Sequence, residues 1–163
     1  MTEKGYEKLN RYMWSHERLG SIVRRIEQIL TAVVFASYPV FLVWAAWYRR
    51  QFFPEVILVP LGGFLGLSAV RYALKAPRPY EVCDITPLIK KDTVGQSFPS
   101  RHIFSVFMLA ETYLYAASDP IALPFYLMGL VLAVCRVLLG VHFIKDVVTG
   151  AVVALLCGLV YYL

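Results

Sequence analysis

The sequence predicts an all-α polytopic membrane protein: a bundle of about five transmembrane helices preceded by an N-terminal amphipathic helix. Three observations carry this. Of the 163 residues, 59% are hydrophobic and only 17% charged, with a mean hydropathy of +0.61; soluble domains are about 45–50% apolar and about 25% charged. The apolar residues fall into runs close to the ~20 residues needed to cross the ~30 Å hydrocarbon core of a bilayer. The ionisable residues gather at the ends of those runs. This composition excludes a disordered chain, a secreted disulfide scaffold and an ordinary cytosolic enzyme, and the length accommodates a single domain, residues 1–163.

Residues 1–28 read as an amphipathic arm. Tyr6, Leu9, Met13, Trp14, Ile22 and Ile26 interleave with Lys4, Lys8, Arg11, Arg18, Arg24 and Arg25, the pattern of a helix lying in the membrane interface; a solvated helical arm is the alternative. The transmembrane bundle then occupies 29–163. Ile29 to Tyr48 is uncharged and is closed by Arg49 and Arg50, which read as snorkelling anchors. Val56 to Val70 is uncharged and reaches spanning length with its flanks, about Phe53 to Leu74. Ile103 to Ser118 forms a third run, interrupted by Glu111, which reads as a buried hydrogen-bonding residue. Pro120 to Val141, interrupted by Arg136, is the fourth, and Val147 to Leu163 the fifth.

The long connection from about Lys75 to Ser97 holds Pro77, Pro79, Pro87 and Gly95; loops of that length in compact domains tend to be functional. Lys90 and Lys91 within it read as a solvated or headgroup-facing pair. Cys83, Cys135 and Cys157 are odd in number and imply no disulfide framework. The N-terminus mixes both charge signs and lacks an uninterrupted apolar core, so it is not expected to be a cleavable signal peptide.

Ionisable groups at membrane depth are costly and are functional candidates by default. Alternating the helices brings Arg71, Arg78, Ser100, Arg101, His102, Arg136, His142 and Asp146 to one side of the membrane. Arginines around one point repel unless an anion lies between them, and the guanidinium fork matches phosphate oxygens. Phe98-Pro99-Ser100-Arg101-His102 reads as a helix start with Pro in the first turn, and amides at such a start favour phosphate. His142 and Asp146, four apart, are expected on one helical face, where the carboxylate holds one ring proton and leaves the other nitrogen as nucleophile or base. His102 is suited to protonating a leaving oxygen. The net charge of +5 in so apolar a chain points to phosphates or lipid headgroups rather than nucleic acid. No clustered carboxylates suit Mg²⁺. A competing reading makes His102 and His142 axial ligands of an electron-carrying haem, but it does not account for arginines at fixed spacing.

The order Arg71-x6-Arg78-Pro79, Pro99-Ser100-Arg101-His102 and Arg136-x5-His142-x3-Asp146 resembles the three-part signature of the type 2 phosphatidic acid phosphatase (PAP2) superfamily. The resemblance implies a metal-independent lipid phosphatase without cofactor. His142 would attack phosphorus to form a phosphohistidine, Asp146 would orient it, and His102 would protonate the leaving group and then activate water. Arg71, Arg78, Arg136 and Ser100 would hold the phosphoryl oxygens, with Arg101 and Lys75 as further contacts. Three positions depart from the family pattern: it usually has Lys at Arg71, Gly at Arg101 and Ser at Cys135. Many members also have six spans, where this chain has its arm in place of the first. The implied partners are the bilayer and a lipid substrate. A polyprenyl diphosphate such as undecaprenyl diphosphate leads, because Arg101 could meet a second phosphate; phosphatidylglycerophosphate and phosphatidate are the alternatives. The resemblance places the site on the periplasmic or exterior face of a bacterial inner membrane. That runs against the positive-inside rule, because every Lys and Arg except Arg49 and Arg50 lies on the site's side.

Overall fold

A computed structural model describes residues 2–89, 94–117 and 119–163 of the chain. The Lys90-Lys91 pair and Ser118 lie outside the described residues. The helices are α1 (Glu3–Ser15), α2 (Glu17–Tyr48), α3 (Phe53–Leu74), the single turn α4 (Pro79–Val82), α5 (Arg101–Ala116), α6 (Asp119–Leu138) and α7 (Ile144–Gly158), with 3-10 turns at Arg50–Phe52 and Leu159–Tyr162. The all-helical class expected from the composition is what is observed.

α5 is the axis of the bundle. Ile103, Phe104, Val106, Phe107, Met108, Leu109, Ala110 and Tyr113 are all buried, so the helix is covered on every side; α2, α3, α6 and α7 pack around it. It is the expected third span, yet its 16 residues rise only about 24 Å. Four other described helical stretches are long and apolar enough to cross a membrane: Glu17–Tyr48, Arg50–Val82, Pro120–Leu138 and Ile144–Tyr162. An enclosed helix meets neighbouring helices instead of lipid, so its length need not match the bilayer. The outer helices expose Val40, Val43, Trp47, Leu58, Leu65, Val134 and Leu156, the apolar exterior that a bilayer covers. The chain is an integral membrane protein.

The arm differs from expectation. Only α1 is a separate amphipathic helix; Glu17 to Gln28 continue directly into the first span, making α2 32 residues long. The break falls at His16, whose backbone leaves the helical region (φ −117°, ψ 68°). Ser15 Oγ donates to the Tyr12 carbonyl at 2.9 Å, and His16 Nδ1 lies 3.0 Å from the same oxygen. Such local side-chain bonds compete with helix propagation. Nor does α1 turn its apolar face only outward: Tyr6, Asn10 and Met13 are buried against the bundle while Lys4, Lys8 and Arg11 are exposed. Asn10 pairs with both backbone groups of Thr86 (2.8 and 3.2 Å), Trp14 Nε1 donates to the Thr86 carbonyl (2.8 Å), and Tyr6 Oη accepts the Ile144 N–H (2.9 Å). α1 is thus a strap joining the long connection to the start of α7. Beneath it a small second core of Met13, Val23, Leu88, Cys135, Leu139 and Val141 supports that end of the molecule.

Candidate active site

Asp146 organises the start of α7. It is fully buried, and its Oδ2 accepts the Phe143 N–H at 2.9 Å, capping the helix from its third residue. The same oxygen accepts the Ser97 hydroxyl at 2.5 Å and lies 3.4 Å from His142 Nδ1; Ser97 Oγ is itself 3.3 Å from that nitrogen. The expected His142–Asp146 pairing is therefore present, although not on a shared helical face, because His142 precedes the α7 cap residue Phe143. Gly140, at φ +74°, makes the turn that carries the chain from α6 to His142. The bonds around Nδ1 are satisfied when that nitrogen carries the ring proton, which leaves Nε2 with a free lone pair.

His142 is 3% exposed. Burial pushes its pKa down to about 4; the bond to Asp146 opposes this, and the charges of Arg78 and Arg136 add to it. The imidazole is neutral at pH 7.

The start of α5 abuts this pair. Ser100 is the cap residue and is fully buried; its N–H donates to the Asp146 carbonyl at 2.9 Å, and its hydroxyl has no hydrogen-bond partner. Pro99 lies before the cap, not in the first turn as expected. The close approach needs Gly150 on α7, where a Cβ would stand 2.7 Å from the Ser100 carbonyl oxygen. Arg101 and His102 are the first two residues of α5. Arg101 is exposed, with its guanidinium 5.8 Å above the Phe64 ring. His102 is half-buried and meets Phe35 edge-on.

Three buried arginines complete the cluster. Arg71, in the last turn of α3, donates from Nη1 to the carbonyls of Ser97 (3.0 Å) and Pro99 and from Nη2 to that of Gln96. Arg78 donates from Nε to the Gly95 carbonyl (3.2 Å) and from Nη1 to that of Val141 (3.3 Å), tying the long connection to the turn before His142. Glu81 braces the same loop, accepting from the Arg78 and Gly95 amides. Arg136 is 1% exposed; its Nη2 lies 2.6 Å from Glu27 Oε1 of α2, while Nε and Nη1 have no hydrogen-bond partner. Lys75 is not brought in: it is exposed, with Nζ 5.8 Å over the Tyr72 ring. Glu111 lies in the bundle away from this cluster, accepting the Tyr126 hydroxyl at 2.5 Å.

Ser97, Glu27 and Glu81 were not legible as site residues. Ser97 looks like one more polar loop residue, and Glu27 falls in a stretch whose charges read as an exposed arm. The available signal was an acidic residue two positions before an uncharged run that must share its membrane end with Arg136.

Between α2, α3 and α5 an apolar groove of about 310 Å³ runs beneath the α5 N-terminus, lined by Phe35, Tyr38, Leu42, Ile57, Pro60, Leu61, Phe64, Phe104, Ser105, Met108 and Leu109. Its rim includes Phe35 and Phe64, the rings that touch His102 and Arg101.

The sequence profile of the PAP2 superfamily matches residues 56–163. Among solved structures the chain is similar to LpxE of Aquifex aeolicus, at 20% identity and a TM-score of 0.75, over 98% of this chain and 93% of that one. It is also similar to the first transmembrane PAP2-type phosphatidylglycerolphosphate phosphatase from Bacillus subtilis, at 18% identity and a TM-score of 0.72, over 98% and 83%. At these identities the likeness establishes a shared fold. No curated protein sequence matches the chain.

Proposed function

The chain belongs to the PAP2 superfamily of membrane lipid phosphatases, and on that premise we propose that it removes the terminal phosphate of a lipid diphosphate, with polyprenyl diphosphate as leading substrate, through a phosphohistidine at His142. The observation that carries this reading is a buried, neutral imidazole held at Nδ1 by Asp146 and Ser97 and surrounded by buried arginines. Such an arrangement suits a nucleophile facing an anion and gives a haem no evident advantage.

In this mechanism Nε2 of His142 attacks phosphorus, and the bond from phosphorus to the leaving oxygen breaks while His102 supplies that oxygen's proton. The resulting imidazolium keeps its Nδ1 proton against Asp146, which stabilises the charge. His102, now neutral, takes a proton from water as the water attacks phosphorus; the P–N bond breaks and the pair returns to its first state. Arg136 Nε and Nη1 and the Ser100 hydroxyl are donors without a protein partner, and with the first amides of α5 they meet the phosphoryl oxygens directly. Arg71 and Arg78, bonded to loop carbonyls, fix the wall of the site and contribute positive field as charge develops.

The groove supports a lipid in preference to a water-soluble ester, because an apolar chain lying along Phe35 and Phe64 carries its phosphate to His102 and Arg101. Arg101, exposed at the mouth, supports a substrate with a second phosphate. A second reading, phosphatidylglycerophosphate, is favoured by the substrate named for the Bacillus subtilis protein of the same fold; phosphatidate offers Arg101 no second phosphate. On this reading the site faces the exterior of a bacterial inner membrane. The test is phosphate release by the purified protein in detergent with EDTA, across undecaprenyl diphosphate, phosphatidylglycerophosphate, phosphatidate and a soluble phosphomonoester. The diphosphate is expected to turn over fastest and the soluble ester slowest; equal rates on all four would overturn the substrate assignment, and no release from any would overturn the activity.

A further inference from the structure

The proposed mechanism draws its residues from α3 to α7, the part of the chain matched by the superfamily profile. The structure adds one from outside that part. Glu27, 6% exposed on α2, meets Arg136, the largest of the fully buried side chains, at 2.6 Å. We propose that Glu27 is the positioning residue for Arg136: it fixes the guanidinium by one nitrogen so that its remaining donors are presented to the phosphoryl group. This rests on the phosphatase reading above.

The geometry distinguishes that role from simple charge compensation. A carboxylate neutralising a buried arginine does so most effectively as a bidentate pair, with two parallel N–H···O bonds. Here the contact is a single one, Nη2 to Oε1, and Arg136 Nε and Nη1 stay without a protein partner despite full burial. Oε1 also lies 3.4 Å from Thr31 Oγ, one turn further along α2, so a second side chain restrains the carboxylate. A group held at one corner by a restrained anion has its orientation set while most of its donors remain available. Buried donors are rarely left unpaired, and those of Arg136 belong to a residue whose charge is close enough to disfavour protonation of His142. The cost of the device is competition, since Glu27 and a phosphate repel one another while sharing one cation.

The role predicts opposite effects on binding and turnover. Glu27→Gln removes the like charge facing the phosphate, so inorganic phosphate binds more tightly; it also loosens Arg136, so kcat falls by about 10- to 100-fold, the range expected when a reacting group's partner drifts on the order of 1 Å. Glu27→Asp keeps the charge but retracts it by one C–C bond, about 1.5 Å. A positioning residue then loses kcat without gaining phosphate affinity, whereas a mere counter-ion is replaced without loss. In an Arg136→Ala background, Glu27→Gln should add nothing further. The experiment measures inorganic phosphate binding by calorimetry and lipid phosphate release per folded molecule for wild type, the two Glu27 variants, Arg136→Ala and the double variant. Wild-type turnover in Glu27→Asp, an added loss in the double variant, or failure of both Glu27 variants to fold would each overturn the assignment. If the wild type releases phosphate from no lipid while phosphate binding still tightens in Glu27→Gln, the functional reading fails and the pair does not.

Discussion

Ser97→Ala tests the arrangement around His142 most directly. Ser97 is fully buried; its hydroxyl donates to Asp146 Oδ2 at 2.5 Å and lies 3.3 Å from His142 Nδ1. Alanine removes that donor and leaves the carboxylate with the Phe143 amide and the imidazole as its partners on that oxygen. A hydrogen bond to a charged group contributes about 1.5–3 kcal/mol, and each ~1.4 kcal/mol is about tenfold in rate. The loss in kcat/KM should therefore be roughly 10- to 150-fold. The pH dependence gives the sharper readout. With one donor fewer, the carboxylate presents more negative charge to the ring, and the imidazolium is favoured. The pKa of His142 should rise from about 4 toward its ordinary value of 6.5, so the acid limb of kcat/KM should move to higher pH. Phosphate release in detergent from pH 4 to 8 measures both. A Ser97→Ala enzyme with wild-type rate and an unmoved acid limb would show that the hydroxyl does not set the state of His142.

Three further outcomes follow from the same contacts. His142→Ala should abolish turnover and the acid-labile phosphate label trapped by rapid quench, and His102→Ala should slow turnover by about 10²–10⁴-fold while phosphate binding persists. Gly150→Ala places a Cβ 2.7 Å from the Ser100 carbonyl oxygen and 3.4 Å from the Ser100 and Phe104 nitrogens; displacing backbone should cost about 1–3 kcal/mol, read as a lower thermal midpoint together with lost activity. Because burial depresses the pKa of His142, the unfolded chain binds the extra proton between pH 6.5 and about 4; stability is present above pH 6.5 and lost as pH falls through that window, by about 3 kcal/mol at most, and His142→Gln should flatten that limb in thermal melts at graded pH.

What was legible in the sequence was whatever local spacing or composition records. Uncharged runs mark the spans, and the separations within Arg71-x6-Arg78 and Arg136-x5-His142-x3-Asp146 survive because each group lies on one helix end or the turn beside it. What was not legible depends on contacts between distant segments. Ser97 reaches Asp146 across 49 positions, and Glu27 meets Arg136 only because α2 packs on α6; neither contact leaves a period in the chain. The extent of the arm was not legible for a related reason. Charges from Lys4 to Arg25 look uniform, whereas the helix breaks at His16 through side-chain bonds to the Tyr12 carbonyl. The helical continuity of α2 through Glu27 is what carries that carboxylate to the site.

The partners of the arginines bear on how such a site works. A guanidinium paired with a carboxylate loses most of its field at a distance, while one bonded to carbonyl oxygens is fixed without being neutralised. Arg71 and Arg78 are held by carbonyls of Gly95, Gln96, Ser97, Pro99 and Val141; Arg136 meets the Glu27 carboxylate, through one nitrogen. The charges of Arg78 and Arg136 help keep His142 neutral, hence nucleophilic, before substrate arrives. The same charges are positioned to stabilise the phosphoryl group once negative charge builds on it, with little reorganisation required at that moment. On the proposed mechanism the loop carbonyls are thus part of the catalytic design. Arg78→Lys should consequently fail to restore activity even though it keeps the charge, because an ammonium does not reproduce the planar fork that spans Gly95 and Val141. Measured kcat for Arg78→Lys near wild type would show that charge alone suffices and that the carbonyl bracing is incidental.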